Sequence, residues 1–364
     1  VPGYQWSPEV ASFSHAAATD TVLVAPVTSA VRDPGIDALR GLAVVLMIGA
    51  NLAPYQLELP FSFWFRAWSS LAAPLFILLS GFMAGKAAGM GRQRTWDHHI
   101  KRSAVLLILA ATIDVCFWGI TPFYHFDVLY LLASLQLVAP LFSRLPKTLR
   151  VASVAVLFVV TEPLQHVVGY RSECSHIGFD MLQAWLFDGW FPVFPWLGLG
   201  LAGTHLGVSG VDFRQPGTRR IALALGGVLM AAGGAYWYWT DPHLQTRWGC
   251  AELFYPPTLG FMLCAMGFLA WALVGMHRLA RLPGATVLIV LGRVALLVYF
   301  AHIALITKVI RPFLGLGSLG QYLIVYAGIT IFMWALDRTV RLLWPNPQGF
   351  LPKLLLGCLQ CVHP

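Results

Sequence analysis

Charge is what this sequence has least of. Only 11% of its 364 residues are Asp, Glu, Lys or Arg, against about 25% in a soluble globular domain. So few ionic groups cannot cover a water-facing surface, which excludes a soluble enzyme and a disordered chain. Cysteine is scarce too, at six residues. The one close pair, Cys358-x-x-Cys361 followed by His363, sits in the C-terminal tail, so no metal site is expected. No Gly-rich phosphate loop stands out. No basic run interleaved with aromatics occurs either, so the net charge of +8 does not indicate nucleic acid.

Apolar residues make up the difference. They account for 58% of the chain, with a mean hydropathy of +0.70. A helix needs roughly 20 mostly apolar residues to cross a bilayer. Hydropathy predicts ten such spans: Leu39–Tyr55, Ala67–Ala88, Ser103–Ile120, Val128–Leu145, Leu149–Val168, Val193–Val208, Ile221–Trp239, Thr258–Gly275, Val287–Leu305 and Leu319–Leu336. The expected fold is an all-α polytopic transmembrane bundle over residues 36–343, between tails at 1–35 and 344–364. Val22–Val31 is too short, and too broken by Pro26, to span, and it lacks the basic flank of a secretory signal. Around Leu351–Leu359 the second tail has an amphipathic piece suited to the membrane surface.

Ten spans with a cytoplasmic N-terminus leave only Arg66, Arg171, Arg247, Lys308 and Arg311 outside. Every other Lys and Arg falls inside, save Arg293 within a span. Positive charge collects on the cytoplasmic side of membrane proteins. The expectation is therefore an integral protein of a bacterial inner membrane with both termini cytoplasmic. Trp64, Trp68, Trp118, Trp185, Trp190, Trp196, Trp237, Trp239 and Trp248 all fall near the outer side. They read as an interfacial belt or as a face that stacks sugars or an isoprenoid.

Ionisable residues inside a bilayer are costly and mark function by default. Here they are Arg40, Asp114, Asp127, Glu162, Arg293 and His302. Arg293 needs an anionic partner or ligand, and Asp114 is the candidate partner. Asn51 lies near the outer end of the first span, His125 and Asp127 in a short outer turn, and His302 at the outer end of the ninth span. A histidine beside a carboxylate suits general-base work, provided these four side chains converge. Cys174 and Cys250 fall in outer loops and are candidates for a disulfide, while Cys116 and Cys264 read as packing residues. Gly226–Gly227 and Gly233–Gly234 read as sites of close helix packing.

Five motifs occur in order: Ile36-Asp37-Ala38-Leu39-Arg40-Gly41-Leu42-Ala43, Pro74-Leu75-Phe76-Ile77-Leu78-Leu79-Ser80-Gly81, Phe194-Pro195-Trp196-Leu197-Gly198, Tyr255-Pro256-Pro257-Thr258, and Leu291-Gly292-Arg293 with Tyr299 and His302. Together they resemble the heparan-α-glucosaminide N-acetyltransferase-like family of multi-pass membrane proteins and, more distantly, type 3 acyltransferases. The resemblance covers roughly residues 32–340. It implies transfer of an acyl group, commonly acetyl, from cytosolic acyl-CoA to a hydroxyl or amine of an outer glycan or lipid-linked sugar, without a metal. Asn51 matches the family's asparagine. The family's catalytic histidine, about eleven residues further on, has no counterpart in Pro60-Phe61-Ser62-Phe63-Trp64. The resemblance therefore makes His125 the first replacement and His302 the second, with Asn51 and Asp127 beside them. For the CoA phosphates the inner side offers Arg40, Arg293, Arg92, Arg94 and Arg102. The absent histidine also leaves open a non-catalytic subunit of a larger membrane complex. The buried charges leave open a transporter.

Overall fold

The structure is a computed structural model and describes residues 32–91, 94–169, 179–240 and 250–343. Among the described residues every regular element is helical. Helix α1 (Pro34–Gln56) starts at Asp33, whose carboxylate accepts the Gly35 N–H at 2.9 Å, with Pro34 in the first turn where its missing N–H costs nothing. Then come α2 (Phe63–Ser69), α3 (Ala72–Gly89) and α4 (Trp96–Ile113), which runs into a π-helical turn at Asp114–Trp118. After α5 (Val128–Ser143), α6 (Lys147–Val159) and α7 (Thr161–Val168) lies the short α8 (Phe179–Gln183), with a second π turn at Ala184–Asp188. The chain continues through α9 (Val193–Val208), α10 (Pro216–Thr240), α11 (Leu259–Leu279), α12 (Ala285–Arg293), α13 (Ala295–Leu305), α14 (Arg311–Phe313) and α15 (Leu319–Leu343).

Each of the ten expected spans has a helical counterpart. Seven helical stretches are long and apolar enough to cross a bilayer, and α5 and α9 are shorter apolar helices of 16 residues each. Burial sorts them. The most apolar window of α1 is 78% buried, whereas those of α6–α7, α10 and α15 are 11%, 17% and 17% buried. Outward-facing Val159, Val228 and Ile324 are bare. An apolar surface of that extent is untenable in water, and helices are the structures that satisfy their own backbone in lipid. The protein is an integral membrane protein with α1 at its centre.

Small residues allow the inner helices to touch backbone to backbone. A Cβ on Gly81 of α3 would stand 1.8 Å from the Gly200 carbonyl oxygen of α9. Between α1 and α12 the contact is reciprocal: a Cβ on Gly41 would stand 1.8 Å from the Leu288 carbonyl oxygen, and one on Gly292 1.8 Å from that of Asp37. Gly226 and Gly233 of α10 pack on Gly267 and Gly260 of α11 as the sequence suggests, but Gly234 meets nothing within 4 Å.

The ninth span differs from expectation. Val294 leaves helical geometry (φ −109°, ψ 24°) and splits Val287–Leu305 into α12 and α13. The membrane-length stretch is Ala295–Phe313. Arg293 therefore ends a short helix rather than lying within a span. Its partner is not Asp114 but Asp37, at 3.6 Å, and Asp37 also binds Arg32 at 2.7 Å. Asp114 instead accepts the Tyr130 hydroxyl at 2.6 Å. The reason is position: Gly292 lays the end of α12 against the start of α1, far along the chain from the π turn that carries Asp114. Cys116 is exposed rather than packed, while the Cys264 thiol faces the Met230 carbonyl at 3.6 Å. Cys174, Trp248, Arg92, Leu351–Leu359, Cys358, Cys361 and His363 lie outside the described residues.

Candidate functional site

A cavity of about 370 Å³ opens at the end of the bundle where α1 ends and α5 begins. Its wall is built from Ala50, Asn51, Pro54 and Tyr55 of α1, the start of α3, the turn ahead of α5, Trp118, Trp190, the 250–255 segment, Tyr299 and Ile303. Pro54 has no N–H to offer the Ala50 carbonyl, which leaves that oxygen without its helical partner on the cavity side of α1.

Asn51 is held from behind. Its Nδ2 lies 2.9 Å from His302 Nε2, and His302 Nδ1 lies 2.8 Å from the Val298 carbonyl. A carbonyl only accepts, so Nδ1 carries the ring proton and Nε2 accepts from the asparagine amide. His302 is fully buried and both its nitrogens are spent. It fixes the Asn51 rotamer, and one amide N–H and the amide oxygen of Asn51 remain for the cavity.

The Thr121–Asp127 turn carries His125. Phe123 and Phe126 have positive φ, 61° and 54°, which is strained for bulky side chains. Cross-chain bonds hold the turn: Trp190 N–H donates to the His125 carbonyl at 2.6 Å, Phe191 N–H to the Phe126 carbonyl at 3.0 Å, and Phe123 N–H to the Tyr130 hydroxyl at 3.2 Å. The His125 ring packs on Trp190 at 4.7 Å between centroids and edge-on to Tyr124. Asp127 caps α5 by accepting the Val128 N–H at 2.5 Å, and its other oxygen takes a hydrogen bond from the Tyr299 hydroxyl. Tyr299 and His302 are one turn apart on α13, so this helix anchors both Asp127 and Asn51.

The four residues singled out from sequence thus meet: Asn51, His125 and Asp127 on the wall, His302 directly behind Asn51. Of the inner arginines, Arg40, Arg94, Arg102 and Arg293 do not line the cavity. Arg293 pairs with Asp37, while Arg94 and Arg102 flank His98 and His99 at the start of α4. The tryptophans divide as well. Trp64, Trp68 and Trp239 are exposed, Trp196 and Trp237 are buried, and Trp118 and Trp190 line the cavity. Trp118 Nε1 is enclosed with no hydrogen-bond partner.

Glu252 also lines the cavity and is missed by sequence reasoning. Its only signal there is a carboxylate three residues before the Tyr255-Pro256-Pro257 motif in an otherwise apolar outer segment. Burial pushes its carboxyl up from 4.5 to about 7, against smaller opposing effects of its own backbone N–H and then of Arg66. Among the described residues no group of three His, Cys, Asp or Glu is placed to hold a metal.

An all-helical membrane bundle with a polar, asparagine-lined cavity at one end is the class these features define. The heparan-alpha-glucosaminide N-acetyltransferase catalytic domain matches residues 32–232, more than half of the chain, and the protein belongs to that family. No curated protein matches it.

Proposed function

We propose that this protein is a membrane acetyltransferase that moves an acetyl group from cytosolic acetyl-CoA to a hydroxyl or amine of a glycan or lipid-linked sugar on the opposite side. The observation that carries this reading is the convergence of Asn51, His125 and Asp127 on one cavity in a chain of this family. The volume lies at the low end of the about 300–1,000 Å³ of small-molecule sites. It has room for an acyl thioester end and the reacting part of an acceptor. The nucleotide has to lie elsewhere. Arg40, Arg293, Arg94 and Arg102, with Arg92, are the cations for its phosphates, and Arg293 must then be shared with Asp37.

Acyl transfer needs donors for the developing oxyanion and a base for the acceptor's proton. The free N–H of Asn51, aimed by His302, is the first donor. The unpartnered Trp118 indole N–H on the same wall fits the same role. For the base the wall offers His125 and Glu252. Tyr255, Trp190 and Trp118 give an acceptor sugar ring flat faces to stack on. In this reading the protein sits in a bacterial inner membrane with both termini cytoplasmic and the cavity on the outer side.

Purified protein supplied with acetyl-CoA should release CoA. Asn51→Ala should lower kcat by about 10²–10³, as loss of one oxyanion donor does. Unchanged turnover in Asn51→Ala would remove the reading. Absence of turnover in the wild type would favour a non-catalytic subunit, a role consistent with the histidine missing after α1.

A further inference from the structure

Where the family places its histidine, this chain places α2, and α2 reaches across to a carboxylate. Ser62 caps α2 by accepting the Phe65 N–H at 3.3 Å. One turn on, Arg66 Nη2 donates to the Glu252 backbone carbonyl at 2.8 Å. Ser70 follows: its hydroxyl donates to the Arg66 carbonyl at 2.6 Å and accepts the Leu253 N–H at 2.7 Å. Residues 252 and 253, more than 180 positions away in sequence, are thus clamped by the α2–α3 corner with the Glu252 side chain on the cavity wall. The carboxylate lies within reach of the Arg66 charge and faces the cavity.

His125 is the less accessible group. Its ring is packed between Trp190 and Tyr124, and its Nδ1 is fully enclosed. Asp127 is committed to Tyr299 and to the α5 cap. Glu252 is partly exposed to the cavity; Arg66 bonds its main-chain carbonyl, and its carboxylate meets its own backbone N–H and the Arg66 charge.

On this basis we propose that Glu252 is the general base of the transfer and stands in for the missing histidine; this rests on the acyltransferase reading. As the acceptor oxygen or nitrogen bonds to the thioester carbonyl carbon, its proton passes to the Glu252 carboxylate. The carbon–sulfur bond then breaks and the proton moves on to the departing thiolate, which leaves as the free thiol. The carboxylate is regenerated and the overall exchange is balanced. A carboxyl raised to about 7 by burial is ionised enough to accept a proton near neutrality and basic enough to hold it. The other ionisable groups facing the cavity are Tyr55 on α1, His125 and Asp127 ahead of α5, Tyr299 on α13, and Cys250 and Tyr255 beside Glu252.

The test is the pH profile of acetyl transfer by purified wild type, Glu252→Gln, Glu252→Ala, Glu252→Asp and His125→Gln, with exposed Glu58→Gln as control. The proposal expects kcat in Glu252→Gln to fall at least ~100-fold, the scale of general-base catalysis, with KM little changed and with loss of the acid limb. It expects partial activity in Glu252→Asp, and recovery of Glu252→Ala by added formate, which a purely structural role would not give. An acid limb retained in Glu252→Gln and lost in His125→Gln overturns the proposal and leaves the acyltransferase reading standing. An inactive wild type overturns both. An unfolding temperature of Glu252→Gln no lower than that of wild type guards against simple misfolding.

Discussion

The Asn51–His302 pair shows how a single residue in this protein is made specific by what stands behind it. Asn51 by itself is a polar side chain near the end of a helix; only the imidazole at 2.9 Å fixes which of its atoms face the cavity. Replacing His302 with Phe should therefore leave the Asn51 amide unanchored, at about 1–3 kcal/mol of stability, while the Val298 carbonyl keeps the residue-302 main-chain N–H of α13. Its effect on transfer should fall on kcat rather than KM, since His302 does not line the cavity. An unchanged kcat would show that the orientation of Asn51 is immaterial.

Glu252 gives a second prediction at this scale, in stability. Its carboxyl stands at about 7 in the folded protein against 4.5 as the ordinary value. The folded state therefore binds more protons than the unfolded state between those two values, and the protonated carboxyl favours folding below them. Stability from this residue is full below about pH 4.5, falls as pH rises towards 7, and is flat above. Unfolding temperature in detergent should decline over that window in wild type, and Glu252→Gln should flatten the decline and be the more stable protein at about pH 8, above the folded-state value. A wild-type curve that rises instead would contradict the burial of this carboxyl. A variant both more stable and inactive is the usual signature of a strained functional group.

At the scale of the element, glycine decides which helices touch. Gly81→Leu places side-chain atoms where the Gly200 carbonyl already sits, so α3 and α9 must separate. The expected outcome is loss of a monodisperse peak in size-exclusion chromatography. Gly234→Ala, which meets nothing within 4 Å, should elute and melt as wild type. Equal behaviour of the two variants would mean that these backbone contacts do not hold the bundle. Much of this is legible in sequence. Hydropathy locates the seven membrane-length apolar stretches among the described residues, each of which presents a long apolar surface, and the paired glycines of α10 announce close packing. The break at Val294 is not legible, because an uninterrupted apolar run reads the same whether it forms one helix or two. Nor is the Arg293–Asp37 pair, which follows from the packing of Gly292 on the start of α1. The convergence of Asn51, His125, Asp127 and His302 depends on contacts 251 residues apart, which periodicity along a chain does not encode. Glu252 escapes notice in sequence because its importance comes from Arg66 and Ser70 in a different helix pair.

For the whole molecule, the apolar flanks of α6–α7, α10 and α15 describe a protein surrounded by lipid, and the distribution of Lys and Arg predicts which end faces the cytoplasm. Single cysteines placed at Glu58 and at Arg214 should react with an impermeant thiol reagent from opposite sides of the membrane, Glu58→Cys from outside. Labelling of both from one side would contradict the topology. On the proposed acyltransferase reading, a cytoplasmic donor meets an acceptor from the other side in the cavity walled by α1, α5 and α13. The most direct measurement is transfer of a radiolabelled acetyl group from acetyl-CoA in membranes containing wild type or Asn51→Ala protein. The account predicts label appearing in the glycan or lipid-linked sugar fraction with wild type and not with the variant. Equal label with both proteins, or none with wild type, would contradict it.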